Sequence, residues 1–230
     1  MEKTEVRGLI ENVGIVPVVR ASSPQEARMA AEAVWHGGIP IVEITMTVPG
    51  AREVIAELAR TTPEVLTGAG TVLDEETARA CVEAGAKFLV TPGFDAGAVS
   101  YANKADVLIM TGGLTPTEVM TAWKAGSDFV KVFPCGNLGG PNYIKALRGP
   151  LPQVPLVPTG GVNIDTAADY IRAGAAALGV GGELILKDAL QSRNPAPIRE
   201  MASRLVQAVN QAREQAGIKG SSATATKDNA

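Results

Sequence analysis

The feature that most limits how this chain can fold is a unit repeated along nearly its whole length: a short apolar run, a loop, and a helical pattern that closes on glycine. Gly14-Ile15-Val16-Pro17-Val18-Val19-Arg20 is the first such run; Ser22-Ser23-Pro24 follows as a helix start, and Ala27 to Trp35 has helical spacing. The pattern recurs as Pro40 to Thr45 with Ala51 to Ala59, Val65 to Gly70 with Glu75 to Glu83, Lys87 to Thr91 with Ala96 to Ala102, and Val107 to Met110 with Pro116 to Lys124. It continues as Phe129 to Phe133 with Tyr143 to Leu147, Leu156 to Thr159 with Thr166 to Arg172, and Ala177 to Val180 before the last helices. Helix hands over to strand through one recurring turn, Gly37-Gly38-Ile39, Ala84-Gly85-Ala86, Ala125-Gly126-Ser127 and Ala173-Gly174-Ala175, each with glycine where a helix C-cap belongs. Strand starts at intervals of roughly 20 to 26 residues leave room for one helix and short connections per unit. Eight right-handed crossovers predict an α/β fold, a single (β/α)8 barrel of parallel strands over residues 1–216, with an open doubly wound sheet as the alternative. After Ala216 the sequence turns to Gly, Ser, Ala, Thr, Lys and Asp without periodicity, and 217–230 reads as a disordered tail.

Hydrophobic residues make up 46% of the chain, enough for one large core, and no apolar run is long enough to span a bilayer. Met1 to Arg7 is charged with no hydrophobic signal core behind it, so a cytoplasmic protein is expected. A net charge of −3 without basic clusters argues against nucleic acid and anionic membrane surfaces. It leaves room for a small anionic substrate, since one pocket needs only a few donors. Cys81 and Cys135 do not make a disulfide framework, and the single histidine, His36, precedes Gly37 at a helix end where an imidazole serves the last carbonyls. Without a second histidine or a Cys-x-x-Cys pair, the chemistry is expected to need neither metal nor cofactor.

Two charges interrupt the apolar strands. In Phe129-Val130-Lys131-Val132-Phe133, alternation puts Lys131 on the face of Phe129 and Phe133, and burial among apolar neighbours disfavours an ammonium. Lys131 is either an imine-forming nucleophile or a buried lysine paired with a carboxylate. Glu43 lies deep in the second strand, on the face of Ile41, Thr45 and Thr47, and reads as a general base of raised pKa or as half of that ion pair. Arg20 ends the first strand and Thr71 follows Gly68-Ala69-Gly70; both offer donors to a substrate carboxylate. In such barrels reacting groups sit at the C-terminal ends of strands, which separates Lys131 from Lys87, the opening residue of its strand and a structural one. Gly160-Gly161 after the seventh strand and Gly181-Gly182 after the eighth each read as opening a helix and baring N–H groups to a phosphate.

The runs PVVR, VEITMTVPGA, GAGTVL, VTPG, LTPTE, VKVFP and PTGGV, in this order from about Gly14 to Ile185, resemble the class I 2-keto-3-deoxy-6-phosphogluconate (KDPG) and 4-hydroxy-2-oxoglutarate (KHG) aldolases. That resemblance implies a Schiff base at Lys131, a proton relay through Glu43, and substrate contacts at Arg20, Thr47, Thr71, Pro92 and Phe133. It further implies phosphate contacts at Gly160, Gly161, Gly181 and Gly182, a homotrimer, and a small 2-oxo acid as partner. The chain departs from the family at Thr47, where many members carry arginine, at Gly182 and Glu183, where a serine is usual, and at Thr111, where a proline is usual. A 2-dehydro-3-deoxy-6-phosphogalactonate aldolase is the neighbouring alternative. A phosphate-gripping barrel isomerase using Glu43 as base, or a non-catalytic binding module, would belong to other classes.

Overall fold

The computed structural model describes residues 1–218. Eight parallel strands run β1 (Ile15–Val19), β2 (Ile41–Thr45), β3 (Leu66–Gly70), β4 (Phe88–Val90), β5 (Leu108–Gly112), β6 (Phe129–Val132), β7 (Leu156–Pro158) and β8 (Leu178–Val180). They are hydrogen-bonded in the order β7-β6-β5-β4-β3-β2-β1-β8, and a single parallel bridge between Thr159 and Gly179 draws the ends of β7 and β8 together. Eight strands thus form a nearly closed barrel, as the repeat predicts. Each strand is buried along its full length, which is why it reads as a continuous apolar run rather than an alternating one.

Helices α2 (Pro24–His36), α3 (Ala51–Thr61), α4 (Glu75–Glu83), α5 (Ala96–Lys104), α6 (Pro116–Lys124), α7 (Pro141–Arg148), α8 (Ala167–Arg172), α9 (Lys187–Gln191) and α10 (Ala196–Gln215) follow the strands in turn. Their starts are capped by side chains at several places: Ser23 accepts from the Glu26 N–H, Asp74 from Thr77 and Asp95 from Ala98. The glycine handovers are Schellman turns. After α4, for example, the Gly85 N–H donates to the Val82 carbonyl and Ala86 to Cys81, with Gly85 left-handed at φ 104°. His36 closes α2, exposed and stacked on Trp35.

One element escapes the strand–helix count. Lys3–Val13 forms α1, with Val6 and Ile10 buried and a reciprocal capping box between Glu2 and Glu5. Arg7 lies over the Phe129 ring at 5.3 Å and Lys3 pairs with Asp128 at 3.0 Å, so α1 covers the end of the barrel where β6 begins. Buried Arg213 of α10 donates to the carbonyls of Glu11 and Asn12, tying the first helix to the last. The charged start therefore does structural work that a search for targeting signals passes over. Of the tail assigned to 217–230, Gly217 and Ile218 lie just past α10, and 219–230 fall outside the described residues. No helix among the described residues is long and apolar enough to cross a membrane.

Candidate active site

Lys131 sits late in β6, in register with Gly112 of β5 and Val157 of β7, and only 4% of it is exposed. None of the ion pairs among the described residues includes Lys131 or Glu43, so the two charges are not a simple buried pair. The Lys131 Nζ lies 5.4 Å from the centre of the Phe133 ring. Phe133 in turn lies against Gly160, where a Cβ would come within 3.4 Å of the ring. Pro92 reaches the same wall: the Thr91 hydroxyl accepts from the Gly112 N–H and donates to the Gly93 carbonyl, folding the Pro92 backbone over Gly112 beside Lys131. Lys87 is exposed at the opposite, N-terminal end of β4.

Glu43 is 2% exposed, in register with Val18 of β1 and Gly68 of β3. Its carboxylate leans over Gly70, where any Cβ would lie 1.8 Å from Oε1. Glycine at that position is what leaves the carboxylate its space. Oε1 has no hydrogen-bond partner among the described residues. Burial pushes the Glu43 carboxyl above its usual range, and the positive charges of Lys131 and Arg20 only partly offset this. A carboxyl so placed holds its proton at a pH where a surface glutamate has lost it. Thr71 follows directly, half-buried and left-handed at φ 58°, a conformation that is strained for a β-branched residue.

Arg20 lies just past the end of β1, exposed, and its charge reaches Glu43. Thr47 is exposed and its hydroxyl is 2.7 Å from that of Thr45, which itself donates to the Val19 carbonyl. Thr47 must therefore donate to Thr45, and its one proton is spent. Arg20 is left as the free donor on this side of the mouth.

Gly160 and Gly161 are both left-handed, at φ 83° and 78°, and pack on the Gly136 backbone, whose N–H donates to the Gly160 carbonyl. Neither glycine pair opens a helix directly, contrary to the sequence expectation. After Gly161 the chain turns through Asn163 before α8 begins at Ala167, because two left-handed residues cannot enter a right-handed helix. After Gly181 the carbonyl accepts from Leu184 and Ile185 in an isolated turn, and α9 begins only at Lys187. The bridge between Thr159 and Gly179 still sets the two glycine loops side by side. Gly181 and Gly182 line a cavity of about 350 Å³ with Arg20. Glu183 is exposed and is not among the residues lining it. Thr111 is buried in β5 and accepts from the Ser127 hydroxyl.

The contributions of Gly70, Gly112 and Thr91 were not singled out from sequence. The signal available for Gly70 was its alternation with Gly68, where a Cβ would strike the Phe88 ring at 2.4 Å. Together the fold and this mouth define a (β/α)8-barrel enzyme with its polar groups gathered at the C-terminal ends of the strands. Residues 6–201 match the model of the KDPG and KHG aldolases, and the chain belongs to that aldolase family. It is 34% identical over 185 residues to the 2-dehydro-3-deoxy-phosphogluconate aldolase of Pseudomonas aeruginosa, covering 80% of this chain and 84% of that one. To the KHG/KDPG aldolase of Escherichia coli K12 it is 31% identical over 206 residues, 89% of this chain and 96% of the relative. The crystal structure of KDPG aldolase from Legionella pneumophila, with pyruvate captured as a covalent carbinolamine, superposes with a TM-score of 0.81 at 29% identity. That match covers 86% of this chain and 97% of the other.

Proposed function

We propose that the protein is a class I aldolase that cleaves KDPG to pyruvate and glyceraldehyde 3-phosphate, KHG to pyruvate and glyoxylate, or both. The observation that carries this reading is a lysine sheltered in the barrel, in no ion pair among the described residues, facing the same mouth as a buried glutamate of raised pKa. Among the described residues no carboxylate lies within ion-pair distance of Lys131, so its Nζ is not covered by one.

The Lys131 amine adds to the C2 carbonyl of the 2-oxo acid, and loss of water gives a protonated imine, an electron sink for the C3–C4 bond. Glu43, as carboxylate, takes the C4 hydroxyl proton; the C4 oxygen closes to an aldehyde, and the C3–C4 electron pair moves into the enamine of pyruvate. The carboxyl then returns a proton to C3, and hydrolysis of the imine releases pyruvate and restores the amine. Arg20 holds the substrate carboxylate with Thr71; Thr47 orders the loop through Thr45; Pro92 and Phe133 wall the imine. Gly160, Gly161, Gly181 and Gly182 turn their N–H groups toward the distal phosphate. The barrel of residues 1–216 acts as one unit, in the cytoplasm, as a homotrimer. Exposed Leu73, Phe94 and Leu138, in the loops after β3, β4 and β6, support association with further copies, and light scattering gives the copy number.

Pyruvate release from KDPG and KHG, followed through reduction by lactate dehydrogenase, tests the activity. Lys131→Ala abolishes turnover, and Glu43→Gln slows it by about 10²–10⁴-fold, the usual worth of a proton relay. Unchanged turnover by either variant would refute the assignment.

A further inference from the structure

The cavity beside the barrel mouth carries a residue for which neither the sequence motifs nor the mechanism has a use. Its floor is Val18, which stands next to Glu43 in the β1–β2 register, so the cavity opens beside the proton-relay end of the mouth. Two cations line it: Arg20 from the end of β1 and Lys187 from the first turn of α9. Neither side chain makes an ion pair or hydrogen bond among the described residues, and neither is answered by Glu183. The one carboxylate on the wall, Glu26, is already engaged, its Oε2 accepting from both the N–H and the hydroxyl of Ser22. Gly181 and Gly182 line the same cavity, and a Cβ on Gly182 would meet nothing within 4 Å. Two cations without an ion-pair partner on one cavity of about 350 Å³ suit a substrate with an anion at each end, a carboxylate at Arg20 and a phosphate at Lys187.

We infer that Lys187 is a specificity-determining residue, which binds the distal phosphate of the substrate while Arg20 keeps its carboxylate, and so sets the preference for phosphorylated 2-oxo sugar acids. The inference rests on the aldolase reading and names the group that gives it selectivity. Lys187 supplies the positive charge on the loop after β8, where Gly182 has no hydroxyl to donate.

The test compares KDPG with its unphosphorylated counterpart, 2-keto-3-deoxygluconate, on wild type, Lys187→Gln and Lys187→Arg. Lys187→Gln raises KM for KDPG about tenfold with kcat within twofold, the loss of one charge-assisted contact at an exposed site, and lowers the preference for KDPG over the unphosphorylated acid by the same factor. Lys187→Arg restores most of it. Equal losses on both substrates, or a preference within twofold of wild type, would overturn the assignment. Calorimetric titration with inorganic phosphate reads the same pocket without turnover: affinity falls about tenfold in Lys187→Gln, and unchanged affinity contradicts the inference. Phosphate bound through Lys187 but failing to compete with KDPG would mark an anion site apart from substrate and overturn it too. Absence of pyruvate from both acids with wild type, while phosphate still binds through Lys187, would instead count against the aldolase reading.

Discussion

Replacing Gly70 with alanine isolates the position of the Glu43 carboxylate from its chemistry. A Cβ at residue 70 would stand 1.8 Å from Oε1, 2.5 Å from Cδ and 2.6 Å from Cγ of Glu43, and ordinary contact begins near 3.4 Å. The carboxylate oxygen must therefore retreat by about 1.6 Å, the difference between those two distances. Retreat is mechanically easy, because the obstruction is the end of a flexible side chain rather than backbone. Overpacking of this kind costs about 1–3 kcal/mol, which for a domain of this size lowers Tm by roughly 2–12 °C and leaves the barrel folded at 25 °C. Catalysis is less forgiving, since a misplacement of about 1 Å is worth on the order of 10²-fold in rate. Gly70→Ala should thus lose about 10²-fold in kcat for pyruvate release while Tm falls by no more than about 12 °C. Gly8→Ala on α1, where the new methyl meets nothing within 4 Å, controls for an added side chain: kcat stays at the wild-type value, and Tm rises by roughly 1–4 °C because alanine is the better helix former. Turnover of Gly70→Ala within threefold of wild type would refute the claim that this carboxylate acts from above Gly70.

The raised pKa of Glu43 has consequences for both rate and stability. Because the relay needs the carboxylate, kcat should rise with pH through a limb lying above the ordinary carboxyl value of 4.5, and Glu43→Gln should lose that limb. The folded state holds this proton more tightly than the unfolded chain, so stability is lost as pH rises from 4.5 through the folded pKa; Glu43→Gln should melt above wild type at pH 8 and lose that advantage below pH 4.5. Arg213→Met removes two donors from the half-buried carbonyls of Glu11 and Asn12 and should cost about 1–3 kcal/mol by chemical denaturation, loosening α1 while leaving imine formation intact. A change under about 0.5 kcal/mol would show that α1 is held without Arg213, by Val6, Ile10 and its contacts with Asp128 and Phe129.

The strands were legible because a strand buried on both faces is a short apolar run, and the glycine handovers supplied the punctuation between units. Lys131 and Glu43 stood out for the same reason: a charge among such residues has few ordinary explanations. What stayed hidden depends on neighbours distant in sequence. Gly70 matters through a close approach from β2, Thr91 through a bond to β5, and Lys187 through a cavity shared with β1. Local pattern carries none of these contacts. The helices after Gly161 and Gly182 start later than the pattern predicts, since periodicity does not report the left-handed residues or the isolated turn that delay α8 and α9. Helix α1 is not legible in the pattern because its charges mask the buried pair Val6 and Ile10.

The central claim is covalent. Borohydride added to the protein with pyruvate should reduce the imine and fix one pyruvate on the chain, and peptide mass mapping should find it on Lys131. Unmodified protein after treatment, or an adduct on Lys87 or another surface lysine with Lys131 untouched, would contradict the account.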